Sequence, residues 1–398
     1  MVNLLKYQPF KGLYMVYFAS TLIFFKVPFF VLQYLPRSRR PRSTWTLKRS
    51  LIVRTIQELF SFKVPFGLKT ALDSPVEVPD KALTDAKFVW VDGIPEELLC
   101  GEVQRIAQIT GVKPARIPGY WLLKKGSSWG GPKAKSGEKT LLHMHGGAFH
   151  LGSANPSDIT SNITRGLLLH STSMERTFAI DYRLTASGPH PPANPFPAAL
   201  LDTIAGYRYL VEEAGFEPHN IIVAGDSAGG NLAVGLVRYL VENSIPSLPP
   251  PGRLLVISPW LDLPGSRCGP DSSAVLNSST DIFPVEPGKP LGAYAVRSLL
   301  GPMDVEEAKT NPYFSPASPH VKPDTGLFKG FPETYVVVGG AERLLDDSKV
   351  LVEKLEADGV KVTSDISPDA VHDFVVFTWH EPERTDVLRR VAQWIDAM

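Results

Sequence analysis

Residues 221–230 read Ile-Ile-Val-Ala-Gly-Asp-Ser-Ala-Gly-Gly, and helical periodicity begins at Asn231. An apolar run that passes without a spacer into Gly-x-Ser-x-Gly and then a helix restricts the possible folds sharply. Ser227 would sit on a tight, strained turn with its hydroxyl clear of a sheet. Side chains at Gly225 and Gly229 would collide with the neighbouring strand and helix. The helix would aim its N-terminus at the same point, which favours developing negative charge there.

Such a turn needs a sheet flanked by helices, and the rest of the chain offers one. Apolar runs bounded by turn residues recur at 88–91, 140–144, 177–182, 221–224, 254–258, 334–338 and 360–366. Stretches with helical spacing separate many of them, at 159–170, 198–214, 230–242, 348–358 and 385–398. This alternation predicts an α/β fold with a mostly parallel sheet and helices on both faces. From 264 to 331 the rhythm breaks into a Pro-, Ser- and Gly-rich stretch with one helical patch near 291–300. An insertion there, between two late strands, predicts a lid or cap.

Composition removes other classes. At 43% hydrophobic, the 398-residue chain has ample material for a core, which excludes wholesale disorder. With 41 basic and 41 acidic side chains it presents no electrostatic case for nucleic acid. Cys100 and Cys268 make no disulfide framework and lack metal-ligand spacing.

A second motif follows the apolar run 140–144: His145-Gly146-Gly147-Ala148-Phe149. Consecutive glycines let a backbone turn its N–H groups toward one point, as an oxyanion hole requires. Ala228, next after the serine, offers a further N–H. His145 reads as structural, holding the loop by hydrogen bonds.

These motifs, with Asp181-Tyr182-Arg183-Leu184, Pro195-Phe196-Pro197-Ala198-Ala199 and Asp202, resemble the hormone-sensitive lipase family of α/β-hydrolases. Asn311-Pro312, Ser315-Pro316 and His372-Asp373-Phe374 extend the likeness, which is colinear over about 85–398 and closest in kind to membrane-anchored fungal members. The resemblance implies a carboxylic-ester hydrolase with a sheet of about eight strands, a cap and no cofactor. It maps the oxyanion hole onto Gly147 and Ala148. Two departures stand out. The third loop glycine is Ala148 here, and Thr185-Ala186-Ser187-Gly188-Pro189-His190 is longer than the family's acidic turn.

In this fold the triad runs Ser, acid, His along the chain. Only His320, His372 and His380 follow Ser227. His320 lies in the insertion and His380 lies well beyond the strand-end loop, which leaves His372 as the base. For the acid, the run 334–338 ends in Gly339-Gly340-Ala341-Glu342, where catalytic loops cluster. Matching the family's acid, two residues after a glycine, also lands on Glu342, with glutamate in place of aspartate. Asp346 and Asp347 are the rivals. They immediately precede the helical stretch 348–358, where aspartate caps free N–H groups.

The N-terminus is different in kind. Residues 12–25 carry no charge, and after Lys26 the apolar run resumes to Leu35. That length predicts a transmembrane helix over about 12–35. Lys26 would need to snorkel or find a partner, and Pro28 admits a helix–break–helix lying in the membrane interface instead. A signal peptide is a third reading, though no clear cleavage site follows. Arg37, Arg39, Arg40, Arg42, Lys48 and Arg49 lie after the run and only Lys6 and Lys11 before it. The catalytic part is therefore expected on the cytoplasmic side. Residues 51–72 have helical spacing broken by Pro65, read as a helix covering the core or a lid over the site.

The chain thus divides into an anchor at 1–45, a helical cap or linker at 46–84 and a catalytic domain at 85–398. The expected activity is that of a serine ester hydrolase of esterase, lipase or deacetylase type on a lipophilic ester, with neither cofactor nor metal. Two alternatives use the same fold: an enzyme of secondary metabolism catalysing cyclisation, dehydration or acyl transfer, and a non-catalytic small-molecule receptor.

Overall fold

The computed structural model describes residues 7–60, 69–283 and 292–398. Eight strands form one sheet: β1 (Ala86–Val91), β2 (Ile117–Leu123), β3 (Thr140–Met144), β4 (Arg176–Ile180), β5 (Ile221–Asp226), β6 (Arg253–Ile257), β7 (Glu333–Gly339) and β8 (Val362–Ser367). Their order is β1-β2-β4-β3-β5-β6-β7-β8. β2 runs antiparallel to both β1 and β4, and every other pairing is parallel. The described helices are α1 (Phe10–Tyr34), α2 (Leu47–Phe60), α3 (Gly101–Thr110), α4 (Ser161–His170), α5 (Ala198–Arg208), α6 (Ala228–Asn243), α7 (Ser273–Leu276), α8 (Ala293–Leu300), α9 (Val305–Thr310), α10 (Leu345–Ala357) and α11 (Glu383–Asp396).

The parallel strands read as continuous apolar runs because both faces are covered. In β5, Ile221 and Val223 join one hydrophobic cluster while Ile222 and Ala224 join the other, and all four are fully buried. The two isoleucines and the valine each contribute about 1.5–3 kcal/mol on burial. Register aligns the C-terminal ends: Met144 pairs with Gly225, Asp226 with Ile257, and Gly339 with Ser367. Loops leaving β3, β5, β6, β7 and β8 therefore emerge along one edge.

The sequence reading missed β2 and α3. Pro118 and Gly119 make β2 look like a turn. Gly119 is required because a side chain there would meet the Phe178 ring. The 264–331 stretch holds α7, α8 and α9, with residues 284–291 outside the description. The helical spacing noted at 51–72 is α2, which starts at Leu47, and Pro65 falls among the residues outside the description.

α1 is helical throughout, with a π-turn at Leu22–Lys26 just before Pro28. No break occurs at Pro28; a wider turn ahead of a proline relieves the clash of its ring with the preceding turn. Lys26 has a partner: its Nζ lies 2.5 Å from Glu58 of α2. Arg54 contacts the same carboxylate at 3.0 Å and sits over the Phe30 ring. α2 and the turn before it are fastened to the body. Arg49 makes a bidentate pair with Glu383, Trp45 Nε1 donates to Asp369 O, and Arg42 Nη2 donates to Gly340 O.

Candidate active site

Ser227 follows β5 at φ 52°, ψ −116°, a conformation costing on the order of 1–3 kcal/mol for a residue with a side chain. Its surroundings over-determine it. Ser227 N–H donates to Ile257 O at the end of β6, and Ser227 O accepts from Trp260 N. A side chain at Gly225 would run into Gly229 O, and one at Gly229 into Met144 O. This is the crowding expected from the motif, with α6 pressed against β3 and β5.

The loop after β3 lies against this turn. Gly146 N–H donates to Asp226 Oδ2 at 2.9 Å, so that amide is already engaged. Gly147 and Ala148 have φ of 112° and 50° and donate no hydrogen bond to any described residue. The first N–H of α6, at Ala228, is likewise unengaged. Three N–H groups thus remain for an external acceptor. His145 holds the loop as expected: Nδ1 contacts Gly146 O at 2.6 Å, and the ring stacks on Tyr182, whose hydroxyl donates to His145 O. Burial lowers the His145 pKa, which keeps the ring neutral.

Glu342 and His372 are brought together. Glu342 Oε1 lies 3.5 Å from His372 Nδ1, and the two side chains are fully buried. Glu342 Oε2 accepts from Ser258 Oγ at 2.6 Å and from Gly339 N at 2.8 Å. His320 is exposed in the insertion, while His380 sits against Glu383, with burial and Arg49 lowering its pKa to about 4. The rival acids point elsewhere. Asp346 accepts from Ser273 N, and Asp347 Oδ2 accepts from Leu261 N and Asp262 N. Neither caps α10, whose N-cap position is Leu344; the capping expectation is corrected. Both carboxylates instead tie α10 to incoming loops.

Three neighbours escaped the sequence reading. Ser258, left-handed at φ 44°, hydrogen-bonds Glu342 and accepts from Asp373 N. Asp281, from the insertion, accepts from His372 N and Arg343 N. Burial raises its pKa to about 6 against the pull of His372. Gln57 of α2 donates to Asp281 O at 2.6 Å, and Phe60 packs on Phe283, whose ring rests 4.8 Å from His372. Ser258-Pro-Trp after an apolar strand was the one local signal available. Asp281 and Gln57 act only through tertiary contact. Ser227 is buried, its carbonyl accepts from Trp260 N, and the Trp260 ring contacts Phe149.

A serine raised on a tight turn at the end of the central parallel strand defines a class. The chain belongs to the alpha/beta hydrolase fold family, whose model matches residues 141–376. In fold the chain is similar to a solved hormone-sensitive lipase from a metagenome library, with a TM-score of 0.56 at 26% identity over 93% of this chain and 97% of that one. The chain is 30% identical over 259 residues to an acetyl-hydrolase of Streptomyces hygroscopicus, covering 64% of this chain and 73% of that protein. Esterase LipU of Mycobacterium tuberculosis is 32% identical over 258 residues, covering 65% and 77%. A solved esterase of the bacterial hormone-sensitive lipase family shares the fold, with a TM-score of 0.61 at 24% identity over 89% of this chain and 99% of that one.

Proposed function

We propose that this chain is a serine carboxylic-ester hydrolase with Ser227 as nucleophile, His372 as general base and Glu342 as the acid that orients it. The observation that carries the reading is the Glu342–His372 pair, set beside a strained serine on the same sheet edge. His372 takes the Ser227 proton as the hydroxyl oxygen attacks the ester carbonyl. The N–H groups of Gly147, Ala148 and Ala228 receive the charge that develops on the carbonyl oxygen. His372 then protonates the departing alcohol, and water releases the acyl group by the same steps in reverse. Glu342 keeps the imidazole in one tautomer and offsets its charge.

The relatives named as esterase and acetyl-hydrolase support ester hydrolysis. Phe283 against the His372 ring, and Trp260 whose backbone N–H donates to Ser227 O, support an apolar ester. α1 supports a membrane anchor: it is long and apolar, few of its side chains are buried, and its one central cation is paired. With the basic cluster after it, the catalytic domain lies on the cytoplasmic side. The described parts of 46–84 and 264–331 support a cap or linker: Gln57 donates to Asp281 O and Phe60 packs on Phe283.

Burst release of p-nitrophenol from a short-chain ester tests the activity. Wild type should show a burst equal to the enzyme present and Ser227→Ala none; a burst in the variant refutes the assignment.

A further inference from the structure

The residue after the proposed base is a carboxylate placed where the reaction needs an open nitrogen. His372 Nδ1 faces Glu342, but Nε2 faces Asp373 Oδ2 at 3.1 Å, and no hydrogen bond joins Nε2 to Ser227. Asp373 is 9% exposed and left-handed at φ 51°, ψ 34°. Its N–H donates to Ser258 Oγ, and that hydroxyl donates to Glu342. One serine therefore ties the acid on one edge of the imidazole to the backbone of the residue whose carboxylate faces the other.

We infer that Asp373 is a positioning residue that caps Nε2 of His372 in the resting site and so sets the pH at which Ser227 can be activated. This rests on the assignment of Ser227 and His372 above.

The groups that face the ring give the direction. Glu342 comes from the β7 end and Asp281 from the insertion, where it accepts from the His372 backbone, while Asp226 at the β5 end acts on Asp373. Arg343 is the nearby cation and spends its attraction on Asp281. Phe283 covers one face of the imidazole. Burial opposes a charged ring, yet Asp373 and then Glu342 outweigh it and hold the His372 pKa well above its ordinary value. Burial raises Asp373 to about 7, against the attraction of His372. At low pH Nε2 is protonated on the edge of the ring that Asp373 faces, and no lone pair is available to Ser227. As pH rises, that proton leaves to solvent and the base is freed.

Removing one opposite charge at this distance should lower the pKa of the ring by about 1–3 units. The test uses the full chain with Asp373→Asn and Asp373→Gly, both residue types that accept left-handed backbone. Two readouts are followed against pH: kcat/KM for p-nitrophenyl acetate, and the rate at which a fluorophosphonate labels Ser227. The second needs no ester turnover. The acid limb should fall by at least about one unit in both readouts, and labelling at low pH should quicken by about tenfold. A merely structural role would lower rates without moving the limb. A limb unmoved in either folded variant overturns the inference and leaves the ester-hydrolase reading intact. Labelling that persists in Ser227→Ala takes down both.

Discussion

Replacing Glu342 by glutamine removes one charge and almost no volume, at a residue held on three sides. Oε2 accepts two hydrogen bonds, from Ser258 and Gly339. The amide oxygen of a glutamine would keep those bonds, which turns its NH2 toward His372 Nδ1. Nδ1 would then accept rather than donate, leaving the proton on Nε2, where the base must be free. The wrong tautomer at a catalytic histidine costs up to about 10⁴-fold in kcat. The 3.5 Å separation of Glu342 and His372 is longer than an aligned charged hydrogen bond, so the lower part of the range applies as well. We expect a loss of about 10²- to 10⁴-fold, equivalent to roughly 2.7–5.4 kcal/mol of transition-state stabilisation at 1.36 kcal/mol per decade. KM should change little, because the substrate does not touch this carboxylate. Steady-state hydrolysis of p-nitrophenyl butyrate, with the melting temperature as a control for folding, measures both. Turnover within about threefold of wild type in a folded Glu342→Gln would refute the assignment, and an inactive Asp346→Asn beside it would hand the role to Asp346.

Ser227→Ala should lower turnover by at least about 10³-fold and abolish phosphonate labelling with the melting temperature preserved. Asp347→Ala should cost about 2 kcal/mol in chemical unfolding, since it orphans the buried N–H groups of Leu261 and Asp262. Burial, with Asp262 beside it, raises Asp347 from 3.8 to about 8. Its contribution to stability is therefore full below pH 3.8 and declines as pH rises toward 8. Asp347→Asn keeps both hydrogen bonds and should flatten that slope. Deleting residues 1–35 should move the protein from the membrane fraction to the soluble one with turnover retained. Deleting 1–45 should also lower the melting temperature, because Trp45 and Arg42 are lost. Endoglycosidase should cause no mobility shift at the sequons beginning at Asn162 and Asn277. Asn277 is buried, with its amide on Glu342 O, and the Asn162 amide is on Val376 O.

What the sequence made legible was the part written in local patterns. The strand–serine–helix run, the His-Gly-Gly loop and the apolar alternation each describe a few adjacent residues, and the structure places them as expected. Glu342 could be reached because strand ends on a parallel sheet converge. β2 was hidden because its pairing is decided by fit, with Gly119 beside Phe178, rather than by propensity. Asp281 reaches the His372 loop, and Gln57 reaches Asp281, across long stretches of chain, and no spacing rule encodes that approach. The role of Asp347 was misjudged for the same reason: position near a helix start suggested a cap, while its partners lie in another loop.

The short connection between α1 and α2 has a mechanical consequence. Arg40 staples it, donating to Tyr34 O on one side and Trp45 O on the other. α2 is clamped at Arg49–Glu383, and Gln57 of the same helix touches the Asp281 that steadies the His372 loop. An anchor attached by a floppy tether lets an enzyme tumble above the bilayer and sample esters at any height. On the proposed membrane reading, α1 and α2 would act as a bracket. It would hold Ser227 at one height and one tilt, so that selection would act on how deep in the lipid an ester group lies as well as on its chemistry.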